Sequence, residues 1–140
     1  MQAISNMFSG LAELQARTFL LWYMRILAIH ILLGGVIHWA RIVGYVPWRG
    51  SFFIDMPSEW QAATVYFGVL DMVAAIGLWL GVAWGGVMWL FVALSQIVMH
   101  TAFSDTFGRR PYEISFYIGV MIVYFALIYW NDRQERYHLK

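Results

Sequence analysis

The sequence predicts an all-α fold: a polytopic membrane protein, an antiparallel four-transmembrane-helix bundle with an N-terminal interfacial helix. Three observations predict it. Apolar and aromatic residues make up 61% of the 140 residues and charged residues only 12%, whereas a soluble domain typically carries about 25% charge. Such a chain cannot dress its surface in polar groups, so most of its solvent is lipid. Four apolar runs each reach the roughly 20 residues that a helix needs to cross ~30 Å of hydrocarbon. Open strands would leave amides unsatisfied in lipid, so these runs are helices.

Residues 1–17 place Ile4, Phe8, Leu11 and Leu14 at helical spacing, with Glu13 and Arg17 four apart. This predicts a short amphipathic helix on the membrane surface. The segment lacks a basic region ahead of an apolar core, so it is not expected to be a cleaved signal. The transmembrane domain follows over 18–131, with span one over about 18–40. The connection 41–59 carries Tyr45, Trp48, Phe52 and Phe53 and is expected to lie along the membrane surface.

Pro57 and Glu59 suit a first helical turn, and span two runs over about 60–80. Gly85 and Gly86 mark a tight joint to span three, about 84–103. Pro111 and Glu113 open span four, about 112–130, and residues 132–140 form a polar tail. An even number of spans puts both termini on one side. The termini carry Arg17, Arg133, Arg136 and Lys140, and the other side carries Arg41, Arg49, Arg109 and Arg110. The expectation is both termini inside, in a multi-pass protein of a bacterial inner membrane.

Several chemistries are excluded at once. The absence of cysteine removes thiol catalysis and thiolate metal sites. A net charge of +1 gives no reason to expect a nucleic-acid partner. No phosphate loop, nucleophile elbow or metalloprotease helix is present.

Ionisable residues within spans are functional candidates because lipid tolerates them poorly. Arg25 and Asp71 fall at matching depths if span one begins near residue 18 and span two ends near residue 80, which predicts an intramembrane ion pair. A proton or ion relay is the functional alternative, and Arg25 snorkelling to the surface is the third. His38 and His100 share the outer end of their helices, with His30 deeper. Two histidines on neighbouring helices are what a bis-histidine haem b needs. A metal site or hydrogen-bonded interfacial histidines, with no cofactor at all, are the plainer readings. Gln96 matches His30 in depth.

Gly77, Gly81 and Gly85 recur every four residues, a spacing that lets helices approach closely; the tight joint favours span two against span three, with an oligomer face as the alternative, and Gly34 and Gly35 offer span one a similar contact. Arg109 and Arg110, with Trp48 from the longer loop, are candidates for lipid headgroups or an acidic partner.

Arg41-Ile42-Val43-Gly44, Asp55-Met56-Pro57 with Trp60, Gly77-Leu78-Trp79-Leu80, Trp84-Gly85 and Val87-Met88-Trp89 resemble a family of short four-helix inner-membrane proteins of alphaproteobacteria, classed as a domain of unknown function. Ile97-Val98-Met99 and Phe107-Gly108-Arg109-Arg110-Pro111 continue the likeness, which covers roughly 20–130. A looser resemblance is to DoxX-type proteins, also short four-helix bundles, some of them linked to quinol oxidation. Neither resemblance implies a mechanism.

The function expected is that of a small non-catalytic accessory or assembly subunit, with membrane lipids and other membrane subunits as partners. Two alternatives stand beside it. One is an electron-transfer subunit binding haem or quinone through His38 and His100. The other is a small proton or ion transporter using Arg25, Asp71 and His30.

Overall fold

A computed structural model describes residues 1–138, of which side chains 2, 3, 5, 6, 9, 137 and 138 are left aside. The elements are α1 (Gln2–Ile42), a 3-10 turn (Phe53–Asp55), α2 (Ser58–Leu80), α3 (Ala83–Thr101), α4 (Ser104–Phe107) and α5 (Pro111–His138). Among the described residues, α1, α2, α3 and α5 are each long and apolar enough to cross a membrane. The chain is an all-α four-helix membrane bundle.

Two sequence expectations change in detail. Residues 2–17 are helical, but they continue into span one without a break, giving α1 41 residues. A helix of that length measures about 60 Å, roughly twice the hydrocarbon thickness, and the expected break ahead of span one is absent. An interfacial helix would need a bend near residue 17, and that stretch holds neither proline nor glycine to make one. At the other terminus the expected polar tail is helical through His138. Asn131–Glu135 and Asp132–Arg136 contacts, each four residues apart, support its last turns. Lys140 lies outside the described residues.

The α1–α2 pair sets the register of the bundle. Leu21 abuts Gly81, Arg25 lies over Trp79, Gly35 faces Asp71 and Met72, and Trp39 meets Gly68. Glycine permits two of these contacts by taking away side-chain bulk: a Cβ on Gly35 would stand 3.1 Å from that of Asp71, and one on Gly68 3.4 Å from that of His38. The Trp39 indole N–H donates to the Gly68 carbonyl at 3.0 Å, a hydrogen bond between helices that the absent side chain leaves open.

α2 ends at Gly81, whose φ of +67° is open to glycine without strain. Gly81 N–H donates to Leu78 and Val82 N–H to Gly77, the paired bonds of a Schellman cap. Gly81 therefore turns the chain and takes Leu21 of α1 against it, while Gly77 and Gly85 bring α2 and α3 together: a Cβ on Gly77 would stand 2.5 Å from the Gly85 Cα. The core lies between α1, α2 and α3 around Leu78, Trp89, Ala74 and Ala93, with Tyr124 of α5 edge-on to Trp89 at 5.2 Å. α5 rests chiefly on α1 and meets α3 over a shorter stretch. Tyr23 ties α5 down by donating to the Val120 carbonyl at 2.6 Å.

Candidate ligand cavity at the loop end

The end of the bundle opposite the termini is closed by the two long connections. After α1 the chain makes a two-residue turn between Trp48 and Ser51, which exchange backbone hydrogen bonds at 2.9 Å in both directions. Its central residues, Arg49 and Gly50, have φ of +49° and +83°, as a type I′ turn requires. The turn folds Trp48 back onto Trp60, with ring centroids 4.1 Å apart, and Trp60 in turn meets Phe107 edge-on at 5.1 Å. Arg49 lies over Trp48 at 4.4 Å from its centroid. The amide of Gln61 fixes the rest of this loop, donating to the carbonyls of Phe53 and Met56 at 3.0 Å.

Beneath this aromatic cover lies a cavity of about 510 Å³. Every long helix contributes to it: His38 and Arg41 from α1, Thr64 and Phe67 from α2, Gln96 and His100 from α3, and Glu113 and Tyr117 from α5. The cavity narrows the roles of the histidines. His100, 2% exposed, places Nδ1 2.9 Å from the Gly108 carbonyl. A carbonyl only accepts, so Nδ1 carries the proton. Its Nε2 faces the Glu113 carboxylate at 3.7 Å. At that distance Nε2 makes no hydrogen bond to the carboxylate, so only Nδ1 is committed. A ring whose Nδ1–H is held by a backbone carbonyl keeps Nε2 unprotonated, the form a ligating histidine takes, although the Glu113 carboxylate stands in front of that nitrogen.

His38 is different. Its ring stacks on Phe67, centroids 6.1 Å apart, and its Nδ1 is buried without a hydrogen-bond partner among the described residues. Arg41, one turn further along α1, likewise has a buried and unpartnered Nε. Arg110 lies near enough for the two guanidinium groups to repel, but Arg110 also donates to Glu113 at 2.7 Å. Glu113 therefore stands between Arg110 and His100. His30 and Gln96 both line the deeper part of the cavity, and the His30 ring lies 5.4 Å from that of Phe116. No group of three histidine and acidic side chains suited to a metal ion occurs among the described residues.

The expected Arg25–Asp71 pair does not form. Asp71, 6% exposed, sits against Gly34 and Gly35 with Tyr117 in electrostatic reach. Arg25 lies between Trp22 and Trp79, 5.7 and 5.8 Å from their centroids. Arg25 and Gly35 are ten residues apart, about 15 Å along α1. The depth match failed because it measured both helices from assumed membrane faces, whereas the glycine contacts set the register several residues away.

The remaining candidates divide. Trp48 and Arg110 line the cavity, while Arg109 is exposed beside it. Glu113 was legible only as a first-turn acid, and its three-residue spacing from Arg110 was the available signal for their pairing. His38 stood out as an ionisable group in a span, but nothing local to the sequence marked Arg41 beyond its spacing of three from His38, which puts the two on one helical face.

Residues 18–135 match the model of a family whose description reads family of unknown function (DUF6163). No curated protein and no solved structure matches the chain.

Proposed function

The chain belongs to DUF6163, and on that footing we propose that it is a non-catalytic subunit of a bacterial inner membrane that holds a small ligand for a larger membrane complex. The observation that carries this reading is the loop-end cavity, where all four spans and both connections converge on buried polar atoms of His38 and Arg41. A small number of placed polar groups in a largely apolar concavity is the usual make-up of a ligand site. The polar lining favours holding over chemistry: His100 is tied to the loop carbonyl and Glu113 to Arg110. The reading as a subunit draws on α5, which has the smallest fully buried share of the four spans and offers a neighbouring helix a long exposed apolar face.

Native mass spectrometry of the protein released from its own membrane tests the proposal. The wild type should carry a discrete non-covalent mass, and Ala63→Phe, which fills the cavity wall, should lose it while staying folded. Identical spectra for the two proteins would remove the cavity as the working site.

One observation favours a second reading, a quinone site. His38 Nδ1 is unpartnered beside a stacked Phe67 ring, and such a nitrogen donates to a quinone carbonyl when protonated or accepts from a quinol hydroxyl when not. In that case the bound mass is a quinone, and His38→Ala releases it.

A further inference from the structure

The cavity has a polarity gradient that runs the same way as the bilayer around it. Arg41 is the penultimate residue of α1 and Arg110 immediately precedes α5, so both sit at the loop-end surface. His30 lines the opposite end of the cavity, eleven residues earlier on α1, or about 16 Å deeper. Charge is thus confined to the headgroup level. Phe67, Met99, Phe116 and Tyr117 line the depth below, with His30 and Gln96 as the polar groups there. Ala63, Phe67 and Met99 also line an apolar groove of about 680 Å³ between α2 and α3, so that wall is apolar on both sides.

The charges at the surface end do not balance. Of the two guanidinium groups, Arg110 is matched by Glu113, whose second oxygen is turned to His100. Arg41 has no carboxylate partner among the described residues, and its Nε is both buried and unpartnered. The nearby Arg110 adds repulsion. Desolvated charges require a counter-charge and hydrogen bonds to all their donors, and a guanidinium fork fits a phosphate or carboxylate. A neutral ligand would leave the surplus charge in place, and a cation would add to it.

We propose that the cavity takes an anionic amphiphile from the bilayer, its phosphate or carboxylate head held by Arg41 and His38 beside Arg110, and its hydrocarbon chain directed toward Phe116 and His30. This rests on the reading of the cavity as a ligand site and names the class of ligand. The hydrophobic chain supplies affinity through the apolar depth, and the head fixes which way the molecule lies.

The test uses the full chain in a neutral maltoside micelle, titrated with dodecyl phosphate, with dodecyl glucoside as the uncharged match and with inorganic phosphate as the head alone. Dodecyl phosphate should bind at least about tenfold more tightly than either of the others, the order expected for a charge-assisted hydrogen-bonded contact. Arg41→Gln should remove that preference, Arg41→Lys should keep part of it, and Arg109→Gln should leave it unchanged. Equal binding of phosphate and glucoside amphiphiles would overturn the anionic assignment while leaving a ligand cavity. Inorganic phosphate binding as tightly as dodecyl phosphate would overturn the amphiphile. No binding of any probe would overturn this inference together with the cavity reading. The ligand comparison on the wild type needs no variant, so it decides even if Arg41→Gln fails to fold.

Discussion

Gly77 and Gly85 meet backbone to backbone across the α2–α3 hairpin. A Cβ on Gly77 would lie 2.5 Å from the Gly85 Cα and 2.6 Å from the Trp84 ring. Neither helix can yield without moving its main chain. Gly85→Ala should therefore cost about 1–3 kcal/mol, the range for overpacking a tight contact. Gly119, with open space around its Cα, supplies the control. Gly119→Ala should be neutral or stabilising by up to ~1 kcal/mol through helix propensity. Unfolding of both variants in mixed micelles reads the difference.

Arg25 and Asp71 face different neighbours at different depths. A double-mutant cycle between Arg25→Gln and Asp71→Asn should be additive to within about 0.5 kcal/mol. A larger coupling would mean that the two groups meet in the membrane.

Trp39→Phe removes the indole N–H that Gly68 accepts and keeps much of the ring. The loss should be about 0.5–1.5 kcal/mol, the net worth of one such bond. Trp79→Phe, whose indole makes no such bond among the described residues, should leave this hydrogen bond intact. Thermal unfolding of the pair distinguishes a hydrogen-bond effect from a loss of aromatic surface.

Gly50 takes a φ of +83° in the turn that folds Trp48 onto Trp60. Gly50→Val is strained there and should open the turn. The near-ultraviolet circular dichroism of the stacked indoles should fall, with the far-ultraviolet helix signal unchanged. Arg49→Asn, a residue at ease with positive φ, should retain the indole signal.

The spans were legible because each is a statement about length and composition, and lipid enforces both. The α2–α3 contact was legible as well, since the four-residue glycine spacing and a short joint leave few other arrangements. Register between α1 and α2 was not. Hydropathy gives depth only to within a turn or two, and the contacts that decide it, Gly35 with Asp71 and Trp39 with Gly68, depend on which faces turn inward. The cavity was legible in part. His30, His38 and His100 stood out as ionisable groups in lipid, but their partners come from elsewhere: a loop carbonyl at Gly108, a carboxylate at Glu113 and a phenyl ring at Phe67. The unbroken length of α1 escaped because polar residues between 12 and 18 read as the end of one element, although nothing there breaks a helix.

That unbroken length ties the two surfaces of the bundle together mechanically. One continuous rod carries Leu21 against Gly81 toward one surface and Trp39 against Gly68 toward the other. The two seats are eighteen residues apart, about 27 Å at 1.5 Å per residue. A slip of α1 along its axis would therefore unseat both at once, so the position of Arg41 is fixed by packing at the opposite end of the same helix as well as by its own neighbours.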